Sequence, residues 1–100
     1  MKINSQNFPL NNSYEILINT ANWLIKSGKL KSTDCPIPLG TKRYLVNLKP
    51  KHRHGDFRAP KKLSNGLYIE THYSTSSCID HARRLLEIFG YRPDILNIET

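Results

Sequence analysis

One hundred residues, 38% of them hydrophobic, supply one domain with a single core, so neither a disulfide framework nor a structural metal is needed for folding. No apolar run approaches a membrane span and the first residues, MKINSQNFPLNNS, lack the apolar centre of a secretory signal, which argues against a membrane and for a cytoplasmic protein. The formal net charge of +7 and a pI near 9.7 favour an anionic partner such as nucleic acid or an acidic protein.

Residues 1–12 read as a flexible arm, 13–92 as one compact domain and 93–100 as a tail. From Ser13 to Ser27, Tyr14, Leu17, Ile18, Ala21, Leu24 and Ile25 recur at helical spacing and predict an amphipathic helix. Asn12 and Glu15 suggest a capping box at its start; Lys26 and Gly28 mark its end. Trp23 lies off the centre of the stripe, where it either widens the apolar face or contacts a partner. Residues 29–42 contain Pro36 and Pro38 and read as an irregular connector. Cys35 and Cys78 are far apart, form no CxxC pair and read as unpaired thiols.

RYLVNL at 43–48 has the β-formers of a strand, with Tyr44, Val46 and Leu48 expected on one face. DFRAPKKL at 56–63 is a weaker strand that Pro60 confines to an edge or a bulge. Asn65-Gly66 signals a hairpin leading into LYIETHY at 67–73. Alternation there sends Leu67, Ile69, Thr71 and Tyr73 to the core and Tyr68, Glu70 and His72 to the opposite face. A second amphipathic helix is expected near 78–89, with Ser76 or Ser77 as its cap, Gly90 as its stop and Tyr91 folding back on Leu86. Its exposed side offers Asp80 to Arg84 and Arg83 to Glu87 as ion pairs. The fold class is therefore α+β: helix, two- to three-stranded antiparallel sheet, helix, with one face of the sheet covered by the helices.

Charge concentrates between the two central strands. Lys42, Arg43, Lys49, Lys51, Arg53, Arg58, Lys61 and Lys62, with His52 and His54 among them, face only Asp56 in opposition. A solvated loop is one reading of such a run. A polyanion grip is the other, because these cations outnumber the net charge of the whole chain. The expected function is a nucleic-acid-binding module without catalysis of its own, DNA ahead of RNA. The basic residues would position phosphates, Asn65 would approach them at the hairpin tip, and Tyr68 and His72 would contact bases.

The element order resembles that of the double-stranded-RNA-binding domain, and the sheet followed by a helix resembles the DNA-reading domains of integrases. The likeness is one of element order, implies nucleic-acid binding, and carries over no residue. Small basic ribonucleases of toxin type are similar in size and order. An enzyme of that kind is the alternative, with His52, His54 and Asp56 as its acid–base candidates. An interaction protein for an acidic partner is a further alternative. Cys78 with His81 and His52 with His54 have spacings compatible with metal ligation, but Cys78 falls on the apolar stripe, and no metal or cofactor is expected.

Overall fold

The apolar spacings resolve into nine elements in the computed structural model, which describes residues 1–98. In chain order they are β1 (Lys2–Ile3), β2 (Gln6–Asn7), α1 (Glu15–Lys26), β3 (Ile37–Leu39), β4 (Arg43–Asn47), β5 (Pro60–Lys62), β6 (Tyr68–Glu70), α2 (Thr75–Ile88) and β7 (Leu96–Asn97). Short 3-10 turns occupy Ser32–Asp34 and Pro93–Ile95. The fold is α+β with two antiparallel sheets. One is four-stranded in the order β3-β4-β6-β5, and the other is a small ribbon in the order β2-β1-β7.

Both helices sit where their stripes predict. Ile16, Leu17, Ala21 and Leu24 of α1 and Cys78, Ala82, Leu85 and Leu86 of α2 are buried in one cluster with Val46 and Ile69 of the sheet. Val46 and Ile69 are direct cross-strand partners, so their side chains lie on the same face. The start of α1 keeps half of the expected capping box: Glu15 Oε1 accepts from the backbone N–H groups of Asn11 and Asn12 at 3.0 and 2.8 Å. Trp23 meets Tyr91 edge-on, with ring centroids 5.0 Å apart, and so joins the last turn of α1 to the chain beyond α2. The cap of α2 is Ser74, two residues earlier than the earlier of the two serines expected, and its side chain accepts from the Ser77 N–H. At the other end Gly90 adopts φ +86°, and the Tyr91 N–H donates to the Leu86 carbonyl at 3.0 Å, closing the helix as the glycine signal implies.

Several expectations need correction. Residues 1–12 are not a loose arm throughout, because Met1 and Ile3 are buried and β1 pairs with both β2 and β7. A two-residue strand is too short for alternation to be read, although Ile3 is wholly enclosed. The tail likewise begins inside the fold. Leu96 is buried, and Arg83 donates from its guanidinium to the Leu96 carbonyl at 3.2 Å instead of pairing with Glu87. Residues 99–100 lie outside the described ones, and among the described residues Asp80 forms no ion pair with Arg84. The connector 29–42 contains β3, in which Pro38 is tolerated because the strand lies at the sheet's edge. Leu48, expected on the same face as the buried Val46, lies beyond the end of β4 and is 53% exposed, while Leu45 on the opposite face is buried.

The edge position foreseen for the Pro60 segment is observed, with β5 pairing β6 alone. The buried terminal ribbon leads to a direct expectation. Ile3→Ala removes a fully enclosed side chain and should cost about 3 kcal/mol of stability, read as a lowered urea midpoint with an unchanged slope. A loss below about 0.5 kcal/mol, the range of surface substitutions, would mean that the ribbon is dispensable.

Candidate nucleic-acid interface

The basic segment after β4 is a built loop. Phe57 donates its N–H to the Pro50 carbonyl at 2.8 Å, Lys51 and Asp56 face each other as a β-bridge, and His52 donates its N–H to Gly55 at 2.9 Å. Arg53 and His54 therefore occupy a tight tip, closed by Gly55 at φ +92°, a conformation that costs glycine little. Asn47 adds a brace from the strand, its Nδ2 donating to the Lys51 carbonyl at 2.9 Å. Phe57 is buried beneath this hairpin, with the His52 ring 4.7 Å from its own.

Glu70 fastens the hairpin to the sheet. Its Oε2 accepts from the Arg58 N–H at 2.7 Å, and its Oε1 accepts from Ala59 and Thr71 at 2.8 and 3.1 Å. The Thr71 hydroxyl closes the same junction by donating to the Ala59 carbonyl at 2.6 Å. His52 completes the arrangement. Its Nδ1 accepts from the Tyr44 N–H at 3.0 Å, which leaves the proton on Nε2, 3.3 Å from Glu70 Oε2.

Burial pushes the Glu70 carboxyl upward. The backbone N–H groups of Ala59, Arg58, Thr71 and His72 outweigh that effect and hold it below the ordinary carboxylate range. Glu70 was expected on an open polar face. It is instead only 3% exposed, because the basic loop folds over that face and supplies the donors a buried carboxylate requires.

Between the hairpin and the ends of β4 and β6 lies an open cleft of about 600 Å³. Lys42, Arg43, His52, His54, Arg58 and His72 line it, together with Asp56, Glu70, Gly55 and Tyr73. Six of the thirteen residues expected to bind nucleic acid thus converge on one concavity, from three separate parts of the chain. Tyr73, expected in the core, packs against it and also lines the cleft, and its hydroxyl is buried with no hydrogen-bond partner among the described residues. Burial and then the Glu70 carboxylate push its pKa up, with Arg43 acting against them.

The other candidates are placed differently. Lys62 and Tyr68 are direct partners across β5 and β6, and Tyr68 also pairs with Asn47, so these three form a row on the face opposite the helices. Lys49, Lys51 and Arg53 are exposed on the loop outside the cleft. Lys61 points the other way, its Nζ 4.9 Å above the Tyr14 ring of the segment leading into α1. Asn65 is occupied structurally: its Nδ2 donates to the Leu30 carbonyl at 3.3 Å and its Oδ1 accepts from the Leu67 N–H. With Asn22 accepting from the Ser64 N–H, these bonds dock the hairpin tip on α1 and the turn after it. Lys61 and Asn65 therefore leave the candidate interface.

Cys35 and Cys78 are free thiols, and burial raises both their pKa values, with Asp34 adding to the effect at Cys35. His81 lies edge-on to Tyr73 at 4.5 Å, and burial lowers its pKa against the pull of Asp80. Among the described residues no three His, Cys, Asp or Glu side chains gather as a metal site, and no helix is long and apolar enough to cross a membrane. The fold and site define a class: a small α+β domain with a pinned basic hairpin beside a cationic cleft. No protein-family model matches the chain, and no curated protein or solved structure matches it either.

Glu70→Gln tests the clasp. The neutral amide loses the charge-assisted bonds and brings a donor to a place built for an acceptor, so stability at pH 7 should fall by about 2 kcal/mol. Because the folded-state pKa of Glu70 is depressed, its contribution is complete above the ordinary carboxylate pKa and is lost as pH falls through the folded value. The gap between wild type and variant should accordingly shrink in acid. A gap that stays constant from neutrality to strong acid would mean that the carboxylate charge does not hold the loop.

Proposed function

We propose that this domain binds nucleic acid, using the cleft and the adjoining hairpin as its phosphate grip. The observation that carries the reading is the clasp at Glu70: a solvated charge run needs no buried anchor, whereas this one is held in a fixed form by a buried carboxylate and a neutral histidine. Cations held in advance lose less conformational freedom when phosphates arrive, which favours binding. Lys42, Arg43 and Arg58 are the cleft's phosphate contacts, and Lys49, Lys51 and Arg53 extend the positive surface along the hairpin. The half-buried Tyr68, beside Lys62 and Asn47, offers a ring edge or face to a base. A cytoplasmic setting, where thiols remain reduced, fits the two free cysteines.

Phosphate contacts do not distinguish DNA from RNA, so the assay compares both polymers. Fluorescence anisotropy over a salt series should show affinity for duplex or single strands falling steeply with salt. Replacing Lys42, Arg43 and Arg58 together by alanine should weaken binding on every sequence and, for duplex DNA, lower the log–log salt slope by roughly 3. An unchanged slope in the triple variant would remove the cleft from the interface. No binding to any polymer at low salt would overturn the reading and leave an acidic protein as the partner that the charge still suits.

A further inference from the structure

We propose that the cleft also cleaves RNA, with His54 and His72 as its acid–base pair. The inference rests on the binding reading and adds an activity to it. The chain has four histidines. His52 has both ring nitrogens engaged, with Tyr44 and with Glu70, and His81 is packed against Tyr73. His54 and His72 differ from both: each is exposed, the ring of each makes no hydrogen bond or ion pair among the described residues, and both line the same cleft. Three permanent cations, Lys42, Arg43 and Arg58, line it with them. Its volume of about 600 Å³ is that of a small-molecule site, in which a single phosphodiester and its flanking sugars form the reacting unit.

Two imidazoles beside cations suit RNA because RNA carries its own nucleophile. A neutral imidazole takes the proton of a ribose 2′-hydroxyl while its oxygen forms a bond to the adjacent phosphorus. The P–O5′ bond breaks, and the second imidazole, in its protonated form, gives its proton to the departing O5′. The products are a 2′,3′-cyclic phosphate and a 5′-hydroxyl, with no net change in charge or redox state and no co-reactant. Imidazole is the side chain best suited to both accepting and donating a proton in such a step. Arg43, Arg58 and Lys42 would offset the negative charge that builds on the phosphoryl oxygens.

Both rings are carried on fixed backbone. His54 stands at the hairpin tip, next to the Gly55 that pairs with His52, and His72 lies two residues beyond β6, its own N–H directed to the Glu70 carboxylate. Glu70 is therefore a positioning residue for both. His72 lines the cleft together with Arg43, so an acid–base group and a phosphate ligand share one concavity. DNA would occupy the same cleft uncut, since it lacks the 2′-hydroxyl.

The test incubates the protein with total RNA and with an end-labelled RNA in excess chelator, while anisotropy follows binding to the same RNA. Wild type should produce 2′,3′-cyclic phosphate and 5′-hydroxyl ends, and a 2′-deoxy substitution at the cut position should stop cleavage there without releasing the strand. His54→Ala and His72→Ala, both exposed positions whose folding circular dichroism can verify, should each slow cutting about 100-fold while affinity changes only a few-fold. RNA that binds and stays intact overturns the catalytic proposal and leaves the binding module standing. Cutting that survives in either variant, or that leaves other ends, overturns the assigned pair. Absence of both binding and cutting overturns this proposal and the binding reading together.

Discussion

A buried carboxylate decides how this protein displays its charge. Glu70 lies on the sheet face opposite the helices, where a short strand passes between two others. Left unsatisfied there it would cost several kcal/mol, and a charged group in that position must find donors or lose its proton. The donors it finds are the backbone N–H groups of Arg58, Ala59, Thr71 and His72 and the ring of His52. Arg58, Ala59 and His52 belong to the segment that carries the basic residues. Satisfying one anion thus requires the whole loop to fold back over the sheet, and the same bonds bring Arg58 to the cleft.

The chain separates two demands on one sheet. Toward the helices, Val46 and Ile69 enter the common core, and even Lys61 on that side spends its charge on the Tyr14 ring. Toward the loop, Phe57 is buried beside the His52 ring, next to which the polar groups assemble. Concentrating cations at one end raises self-repulsion, and the nearby acids, Glu70 and Asp56, are too few to neutralise it. Asp56 sits directly opposite Lys51 at the base of the hairpin, where an acid offsets the charge of its neighbour without entering the tip. The net field at the cleft remains positive, a condition that an anionic ligand relieves.

Periodic features were legible in the sequence and pairwise ones were not. The two helices, the central strands, the edge position of Pro60 and the Asn65-Gly66 turn follow from spacing and turn chemistry, which are local properties. The ribbon of β1, β2 and β7 escaped because two-residue strands have no period, and the buried Ile3 and Leu96 meet only through contact between the two ends of the chain. The basic run was visible as composition, yet its members divide in space: Arg43 and Arg58 line the cleft, whereas Lys61 faces the helix side. Asn65 carried a turn signal and a binding expectation at once. Its side chain serves the turn, because the Leu30 carbonyl needs a donor where the hairpin docks. Glu70 was read on the correct face but with the wrong exposure, since alternation gives direction and says nothing of what will cover it.

The alternation that builds the core also fixes the cleft. Successive residues of a strand point to opposite faces, so burying Ile69 beneath the helices obliges Glu70 to face the loop, and the partner register obliges Leu45 to face it too. A slip of one residue in β6 would drive the carboxylate into the helix-packed core and send an isoleucine to the hairpin. Both halves of that exchange are unfavourable, so the apolar core protects the register of the clasp far more firmly than the clasp could by itself. Residues from 42–43, 52–58 and 70–73 come together for this reason. The site has no separate folding signal, because the pairing of Val46 with Ile69 that completes the core already determines which charged groups meet on the other side.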